Sequence, residues 1–204
     1  AFRLKSIFND LVVTQRLIRP PVIVMPQINT PSSIDTECVN SPHRGGLQTE
    51  TWLAKDVPDW TVAHFRVDTV RSSWGVMGYS FGGYCAAMLG LNHPQVFGAS
   101  MALMGYFRPE FEAGYDPLTR LGSYDLAAVA RHHHPPVSMF LMASQDDPTA
   151  YPPLLSFLKC VRAPMSVTTQ ILTSGGHRDS TIPPVLPKML TWLASAAPGF
   201  RVGS

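Results

Sequence analysis

Charged side chains are scarce in this sequence of 204 residues, at 15% against about 25% in an average soluble chain. The 16 Lys and Arg residues nearly balance the 14 Asp and Glu residues, so the formal net charge is only +2. The chain therefore lacks the basic excess that charge-driven binding of nucleic acid requires, and we expect no nucleic-acid partner. Its 45% of apolar residues is typical of a folded core and excludes intrinsic disorder.

Long apolar runs are also missing. No run approaches the roughly 18 to 20 residues that span a bilayer, and charged residues interrupt the apolar positions of residues 1–20, which excludes a signal peptide there. The sequence begins with Ala1, inside a segment with helical spacing. We therefore expect further chain upstream.

Cysteine is rare too, with only Cys38, Cys85 and Cys160. Their spacing matches neither a disulfide framework nor a zinc site, and an odd number leaves at least one free thiol. The three cysteines therefore do not indicate whether the protein resides in an oxidising or a reducing compartment.

Short apolar runs alternate with segments of helical periodicity. The runs are continuous, which is typical of parallel strands covered on both faces by helices. The predicted strands are Pro21–Pro26, Trp74–Tyr79, Ala99–Tyr106, Val137–Ala143 and Ser166–Leu172. The predicted helices are Phe2–Leu17, Thr49–Phe65, Gly83–Leu91, Tyr124–His132, Tyr151–Val161 and Pro184–Ala194. With no repeat or long linker, residues 1–204 are predicted to form one α/β domain.

The sequence Gly78-Tyr79-Ser80-Phe81-Gly82 matches the pattern G-x-S-x-G. A predicted strand precedes it and a helix rich in small residues follows, which is the context of a nucleophile elbow. The turn is expected to strain the backbone of the serine, and the two glycines to remove Cβ atoms that would collide there. We predict that Ser80 is a nucleophile; the alternative is a glycine-rich turn that only packs tightly.

A serine hydroxyl needs a base, and the base needs a carboxylate to orient it. In α/β hydrolases these follow the serine in the order acid, then histidine. His177 lies after the last predicted strand and before the final helix, where a base could reach Ser80. The other downstream histidines, His93 and His132–His134, close helices and are expected to stabilise helix C-termini.

Two adjacent carboxylates follow the strand Val137–Ala143, and both are candidates for the acid. One of them is expected to cap a helix or stabilise a turn before Pro148, since Asp commonly does so. We assign Asp146 as the triad acid and keep Asp147 as the alternative.

The segment Gly78–Phe97, GYSFGGYCAAMLGLNHPQVF, closely resembles the putative-esterase family of α/β hydrolases. Further similarity lies in Pro21–Pro26, in ETWL at residues 50–53 and in PDW at residues 58–60. The family includes esterase D-like enzymes, feruloyl and enterochelin esterases and the antigen 85 mycolyltransferases of actinobacteria. The resemblance covers nearly the whole chain and implies an α/β-hydrolase fold with Ser80 as nucleophile. It also implies an acid after the fourth predicted strand, a histidine before the last helix, and an extracytoplasmic location.

The sequence departs from this family in two places. The acid loop is short and carries Asp rather than the Glu of the mycolyltransferases, which argues against mycolyl transfer. Family members also have about three strands ahead of the helix Phe2–Leu17, and the loop after them usually supplies one oxyanion amide. The amide of Phe81 is expected to be one donor. The other would come from elsewhere, and losing one such donor costs about 2.7 to 4 kcal/mol.

These features together predict a serine esterase that cleaves a carboxylic ester through an acyl-enzyme, using Ser80, His177 and Asp146 with the Phe81 amide. The chemistry requires no metal and no organic cofactor. The expected substrate is a small-molecule, lipid or sugar ester. The alternatives are an acyltransferase of the mycolyltransferase type and a non-catalytic scaffold used for binding. We also expect self-association at a sheet edge left open beyond Pro21–Pro26.

Overall fold

The computed structural model describes residues 4–28, 35–111 and 117–203. Its centre is a four-stranded parallel sheet whose strands follow one another in chain order. The strands are β1 (Gly75–Tyr79), β2 (Ala99–Leu103), β3 (Ser138–Ser144) and β4 (Ser166–Leu172). All pairs are parallel, so the carboxyl ends of the strands lie at one end of the sheet. The predicted α/β architecture is confirmed.

Helices connect the strands close to the predicted positions. They are α1 (Leu4–Asn9, continued as a π-helix over Asp10–Thr14), α2 (Thr49–Thr51), a π-helix (Trp52–Asp56), α3 (Val57–His64), α4 (Phe81–Asn92), α5 (Leu126–His132), α6 (Tyr151–Leu158) and α7 (Leu186–Ala196). The predicted start of the first helix at Phe2 lies outside the described residues. Within the described ranges, no helix has both the length and the apolar character needed to cross a membrane.

The segment Pro21–Pro26 forms no strand, so that prediction is wrong. A strand needs a hydrogen-bonding partner, and the described part of the chain supplies none beside this segment. Its prolines also lack the N–H that a ladder requires. Its apolar side chains are left in solvent, and Met25 is 88% exposed. In consequence β1, the strand that leads to Ser80, pairs only with β2 among the described strands and forms an edge of the sheet.

The two central strands, β2 and β3, are the most deeply buried strands of the sheet. Every residue of β2 is buried, and all of β3 is buried except Ser138. Helix α4 packs across β1 and β2, where the hydroxyl of Ser100 donates a 2.7 Å hydrogen bond to the carbonyl of Ala86. The middle of α4 is therefore held against the buried centre of the sheet.

A disulfide between Cys38 and Cys85 joins the segment before α2 to helix α4. The cysteine spacing predicted no disulfide framework, and this bond corrects that prediction. Cys160 has a free thiol, as the odd number of cysteines requires, and it is buried. The two cysteines are 47 residues apart, a separation that carries no recognisable disulfide signal. The bond holds residues near position 38 close to the helix that follows Ser80.

Glu37, next to this disulfide, is buried to 1% exposure. The hydroxyl of Tyr106 donates a 2.6 Å hydrogen bond to its Oε1, and the Tyr106 ring stacks on Tyr84 of α4. Its Oε2 has no hydrogen-bond partner in the described structure. Burial raises the pKa of Glu37 to about 8, although the Tyr106 hydrogen bond opposes the rise. The carboxyl is thus protonated at neutral pH in the folded protein.

We predict that Glu37→Gln stabilises the protein at pH 8.5 relative to the wild type, and by much less at pH 5. The unfolded chain releases this proton near pH 4.3, whereas the folded state keeps it up to about pH 8. The folded state therefore binds more protons in this window, and the free energy of unfolding falls as pH rises through it. Gln keeps the acceptor for Tyr106 and does not titrate.

Urea unfolding at the two pH values measures this difference, with Asp56→Asn as an exposed acidic control. If the free energy of unfolding changes equally in Glu37→Gln and in the wild type between pH 5 and pH 8.5, Glu37 is ionised in the folded state.

Candidate active site

Ser80 lies between β1 and α4 with φ 56° and ψ −121°. A positive φ is rare for a residue with a side chain and is kept only where the surroundings impose it. Here the Ser80 N–H donates to the carbonyl of Leu103 at 2.9 Å, and the Ser80 carbonyl accepts from Gly83 N at 2.8 Å and Tyr84 N at 3.1 Å. The backbone of this residue is therefore fixed on both sides by β2 and by the first turn of α4.

The two glycines of the G-x-S-x-G pattern have different roles. A Cβ on Gly78 would lie 1.9 Å from the carbonyl oxygen of Gly82, so the sharp turn requires glycine at this position. A Cβ on Gly82 would meet no atom within 4 Å. The expectation that both glycines relieve a collision is thus correct for Gly78 and wrong for Gly82.

His177 follows β4 and reaches across the end of the sheet to Ser80. Its Nε2 is 2.7 Å from the Oγ of Ser80, and its ring lies against the ring of Tyr79, with centroids 5.3 Å apart. If Nδ1 carries the proton, Nε2 is free to accept from the serine hydroxyl. This is the arrangement of a nucleophile and its base.

The carboxylate that binds His177 is Asp147 and not Asp146, which corrects the assignment from sequence. Asp147 Oδ2 is 2.7 Å from His177 Nδ1, and the residue is fully buried. Its other oxygen, Oδ1, accepts from the N–H groups of Thr149 at 3.0 Å and Ala150 at 3.2 Å. From the sequence, one aspartate was expected to stabilise the turn and the other to bind the histidine. Asp147 does both, because its Oδ1 faces the two backbone amides and its Oδ2 faces His177.

Asp146 is exposed and does not contact His177 through its side chain. Its carboxylate accepts hydrogen bonds from the N–H groups of Gly175 at 3.1 Å and Gly176 at 2.8 Å, and from the hydroxyl of Ser144. The hydrogen bond from Ser144, followed by those from the two amides, lowers the pKa of Asp146 to about 2. The two adjacent aspartates thus bind the same histidine loop at different points.

Phe81 is the first residue of α4, so its N–H lies in the first turn, where a helix has no carbonyl of its own to bind. This N–H is directly next to Ser80. Its position agrees with that of an amide that could bind an oxyanion formed at the serine.

His93 follows the end of α4, as predicted from the sequence, and its side chain makes a further contact that was not predicted. Its backbone N–H donates to the carbonyl of Leu89, and its ring Nε2 lies 2.8 Å from Oε1 of Glu50. The other carboxylate oxygen of Glu50, Oε2, accepts from the Tyr124 hydroxyl at 2.6 Å. Burial alone would raise the pKa of Glu50, but hydrogen bonds from His93 and Tyr124 outweigh burial and lower it. This network ties α2 to α4 away from the Ser80 side chain, and nothing in the local sequence around Glu50 indicates it.

His132 is the last residue of α5 and His133 is its C-cap, as expected for residues that stabilise a helix C-terminus. His132, His133 and His134 all lie in or directly after α5, and among the histidines of the described residues only His177 has a hydrogen bond to Ser80.

Residues 1–181 match the family model described as "Putative esterase". An uncharacterized protein of Corynebacterium glutamicum is 24% identical over 189 residues, which are 85% of this chain and 44% of that protein. Among solved structures, a ferulic acid esterase superposes with TM-score 0.73 and 18% identity over 93% of this chain and 76% of its own. An S-formylglutathione hydrolase from Agrobacterium tumefaciens superposes with TM-score 0.65 and 17% identity over 79% and 63%, respectively.

These similarities show the α/β-hydrolase fold, and the family match confirms the resemblance noted in the sequence. The chain spans less than half the length of the Corynebacterium relative and 63% of the Agrobacterium hydrolase.

We predict that Gly78→Ala destabilises the protein by about 1 to 3 kcal/mol, because its Cβ would force the backbone of Gly82 to move. Gly82→Ala is the matched control within the same motif. Since Gly82 lies in α4 with open space around its Cα, alanine there should change the free energy of unfolding by less than about 1 kcal/mol. Urea unfolding of both variants makes the comparison, and equal losses would contradict the distinction drawn between the two glycines.

Proposed function

Because the chain belongs to the putative-esterase family, we propose that it is a serine hydrolase that cleaves carboxylic esters through an acyl-enzyme on Ser80. The observation that carries this proposal is the continuous hydrogen-bonded series from Ser80 Oγ through His177 to the buried Asp147, with both contacts at 2.7 Å. Side chains in this order can transfer a proton away from a serine and hold the resulting positive charge.

In the first step the Oγ of Ser80 attacks the carbonyl carbon of the ester, and its proton passes to Nε2 of His177. The imidazolium that forms is stabilised by Asp147, whose Oδ2 accepts a hydrogen bond from Nδ1. Because Asp147 is held by two backbone N–H groups on its other oxygen, it cannot turn away from the histidine without losing them. His177 then gives its proton to the leaving alcohol, and the acyl group stays on Ser80.

The negative charge on the substrate oxygen develops next to the start of α4. The Phe81 N–H is a donor for that oxygen, and the N-terminal end of a helix carries a partial positive charge. In the second step His177 takes a proton from water, which attacks the acyl carbon and releases the acid. His177 then returns that proton to the Oγ of Ser80 as the bond between the acyl carbon and Oγ breaks, and Ser80 is free for another cycle.

The substrate class follows from this chemistry and from the relatives. The ferulic acid esterase and the S-formylglutathione hydrolase are both named for the cleavage of an acyl group. A half-buried Ser80 at the end of the sheet can be reached by a small ester. We propose a small-molecule ester as substrate, with lipid or sugar esters as the larger members of that class.

The disulfide supports an extracytoplasmic location, which the sequence suggested through resemblance alone. Disulfides persist mainly in oxidising compartments and are rare in the cytosol. The bond between Cys38 and Cys85 joins two buried residues and is part of the folded core. We propose that the protein works outside the cytoplasm.

We also propose that the edge of β1 that no described strand covers pairs with a second copy of the chain. Backbone groups on an unpaired edge are available to another strand, and Met77 on this strand is 45% exposed. Sedimentation velocity over a range of concentrations should show a dimer, and Met77→Lys should weaken it, since lysine on an edge strand opposes pairing. A monomer at all concentrations would rule this association out.

We predict that Asp147→Asn lowers kcat on p-nitrophenyl acetate by about 10⁴-fold, because Asn favours the wrong tautomer of His177.

We also predict that a fluorophosphonate probe labels the protein at Ser80. Ser80→Ala should abolish labelling. Ser156→Ala, which removes an exposed serine hydroxyl in α6, is the matched control and should label as the wild type does.

Labelling that survives Ser80→Ala would contradict the assignment of the nucleophile. A wild-type protein that neither labels nor hydrolyses the ester would favour the binding scaffold. Transfer of the acetyl group to an added alcohol in preference to water would favour the acyltransferase.

A further inference from the structure

The loop that carries His177 has little conformational preference of its own. Gly175 has φ 139° and Gly176 has φ 61°, both in the range that residues with side chains rarely adopt. Glycine reaches such angles freely, but it also has many other conformations open to it. The position of the histidine therefore depends on contacts made to the loop from outside.

Asp146 provides two of those contacts. Its Oδ2 accepts from Gly175 N at 3.1 Å and its Oδ1 from Gly176 N at 2.8 Å. Two successive N–H groups in glycine conformations form a concave site for an anion, and here the anion is a carboxylate of the same chain. The hydroxyl of Ser144, a fully buried residue at the end of β3, donates to the same Oδ1 and ties the carboxylate to the sheet.

We propose that Asp146 is a positioning residue that holds the loop of His177 so that Nε2 meets the Oγ of Ser80. This inference rests on the proposed function and deepens it. The two aspartates share the work: Asp146 fixes the backbone at Gly175 and Gly176, and Asp147 fixes the imidazole of His177. Both belong to the turn after β3, so the loop after β4 is anchored to one rigid element.

Asp146 can accept hydrogen bonds from Gly175 and Gly176 at any pH at which His177 acts as a base. The hydroxyl of Ser144 and the amides of Gly176 and Gly175 lower the pKa of Asp146 to about 2, so the carboxylate accepts from the loop throughout the neutral range. A second explanation, that Asp146 acts only through its negative charge near His177, makes a different prediction. Any nearby carboxylate would then have a similar effect.

Asp146→Asn distinguishes the two explanations. Asn has an N–H₂ group in place of one carboxylate oxygen, so one of the two amides loses the oxygen that it binds in the wild type. Asp179→Asn is the charge-matched control, since Asp179 lies two residues after His177 and begins the short 3₁₀ turn at Asp179–Thr181. We expect Asp146→Asn to lower kcat on p-nitrophenyl acetate by about 10- to 100-fold, as a small misplacement of a reacting group does. KM should stay within about twofold, and Asp179→Asn should match the wild type in both constants.

Proton NMR gives a readout that a loss of stability would not produce. The proton shared by His177 Nδ1 and Asp147 is expected far downfield in the wild type and in Asp179→Asn. In Asp146→Asn it should broaden or vanish by exchange with water at a temperature where the variant is fully folded. Unchanged kcat and an unchanged resonance in Asp146→Asn would overturn the proposal. Equal losses in Asp146→Asn and Asp179→Asn would also overturn it in favour of the charge effect.

The outcome is separable from that of the proposed function. Activity that persists in Ser80→Ala and Asp147→Asn would reject the serine mechanism itself. Activity that is lost in those two variants but kept in Asp146→Asn would reject only the positioning role.

Discussion

The backbone conformation of Ser80 is the constraint on which the rest of the site depends. A positive φ at a non-glycine residue costs on the order of 1 to 3 kcal/mol, and here it is imposed by hydrogen bonds to Leu103 on one side and to the first turn of α4 on the other. Gly78 makes the turn possible because any side chain there would collide with Gly82. The strain places the Oγ at the end of the sheet, within reach of a side chain from β4.

Opposite this strained serine lies a glycine-containing loop that is held by the turn after a neighbouring strand. His177 follows two glycines, and the turn after β3 binds the loop and the imidazole through consecutive carboxylates. Since β3 is central and almost entirely buried, its turn is a rigid support for a loop that has no rigidity of its own. The same fold thus fixes the serine through its backbone conformation and the histidine through hydrogen bonds.

The sequence predicted those features that local patterns control. Four of five strands, the elbow at Ser80 and the loop of His177 follow from apolar runs, glycine placement and chain order. The missed features depend on contacts between distant residues: the disulfide from Cys38 to Cys85, and the missing strand at Pro21–Pro26, which has an apolar pattern but no partner. The choice between Asp146 and Asp147 failed for a similar reason. Neighbouring carboxylates look alike in sequence, and only the path of the loop from β4 decides which of them meets the imidazole.

The proposed chemistry requires that Ser80 form a covalent acyl intermediate with His177 and Asp147 as its proton-transfer partners. The most direct measurement is rapid acid quenching of the protein during turnover of p-nitrophenyl acetate, followed by peptide mass spectrometry. We expect an acetyl group on the peptide that contains Ser80, formed at the rate of nitrophenol release, and we expect His177→Ala to slow its formation strongly. Turnover without any acetylated Ser80, or with the acetyl group on another residue, would contradict it.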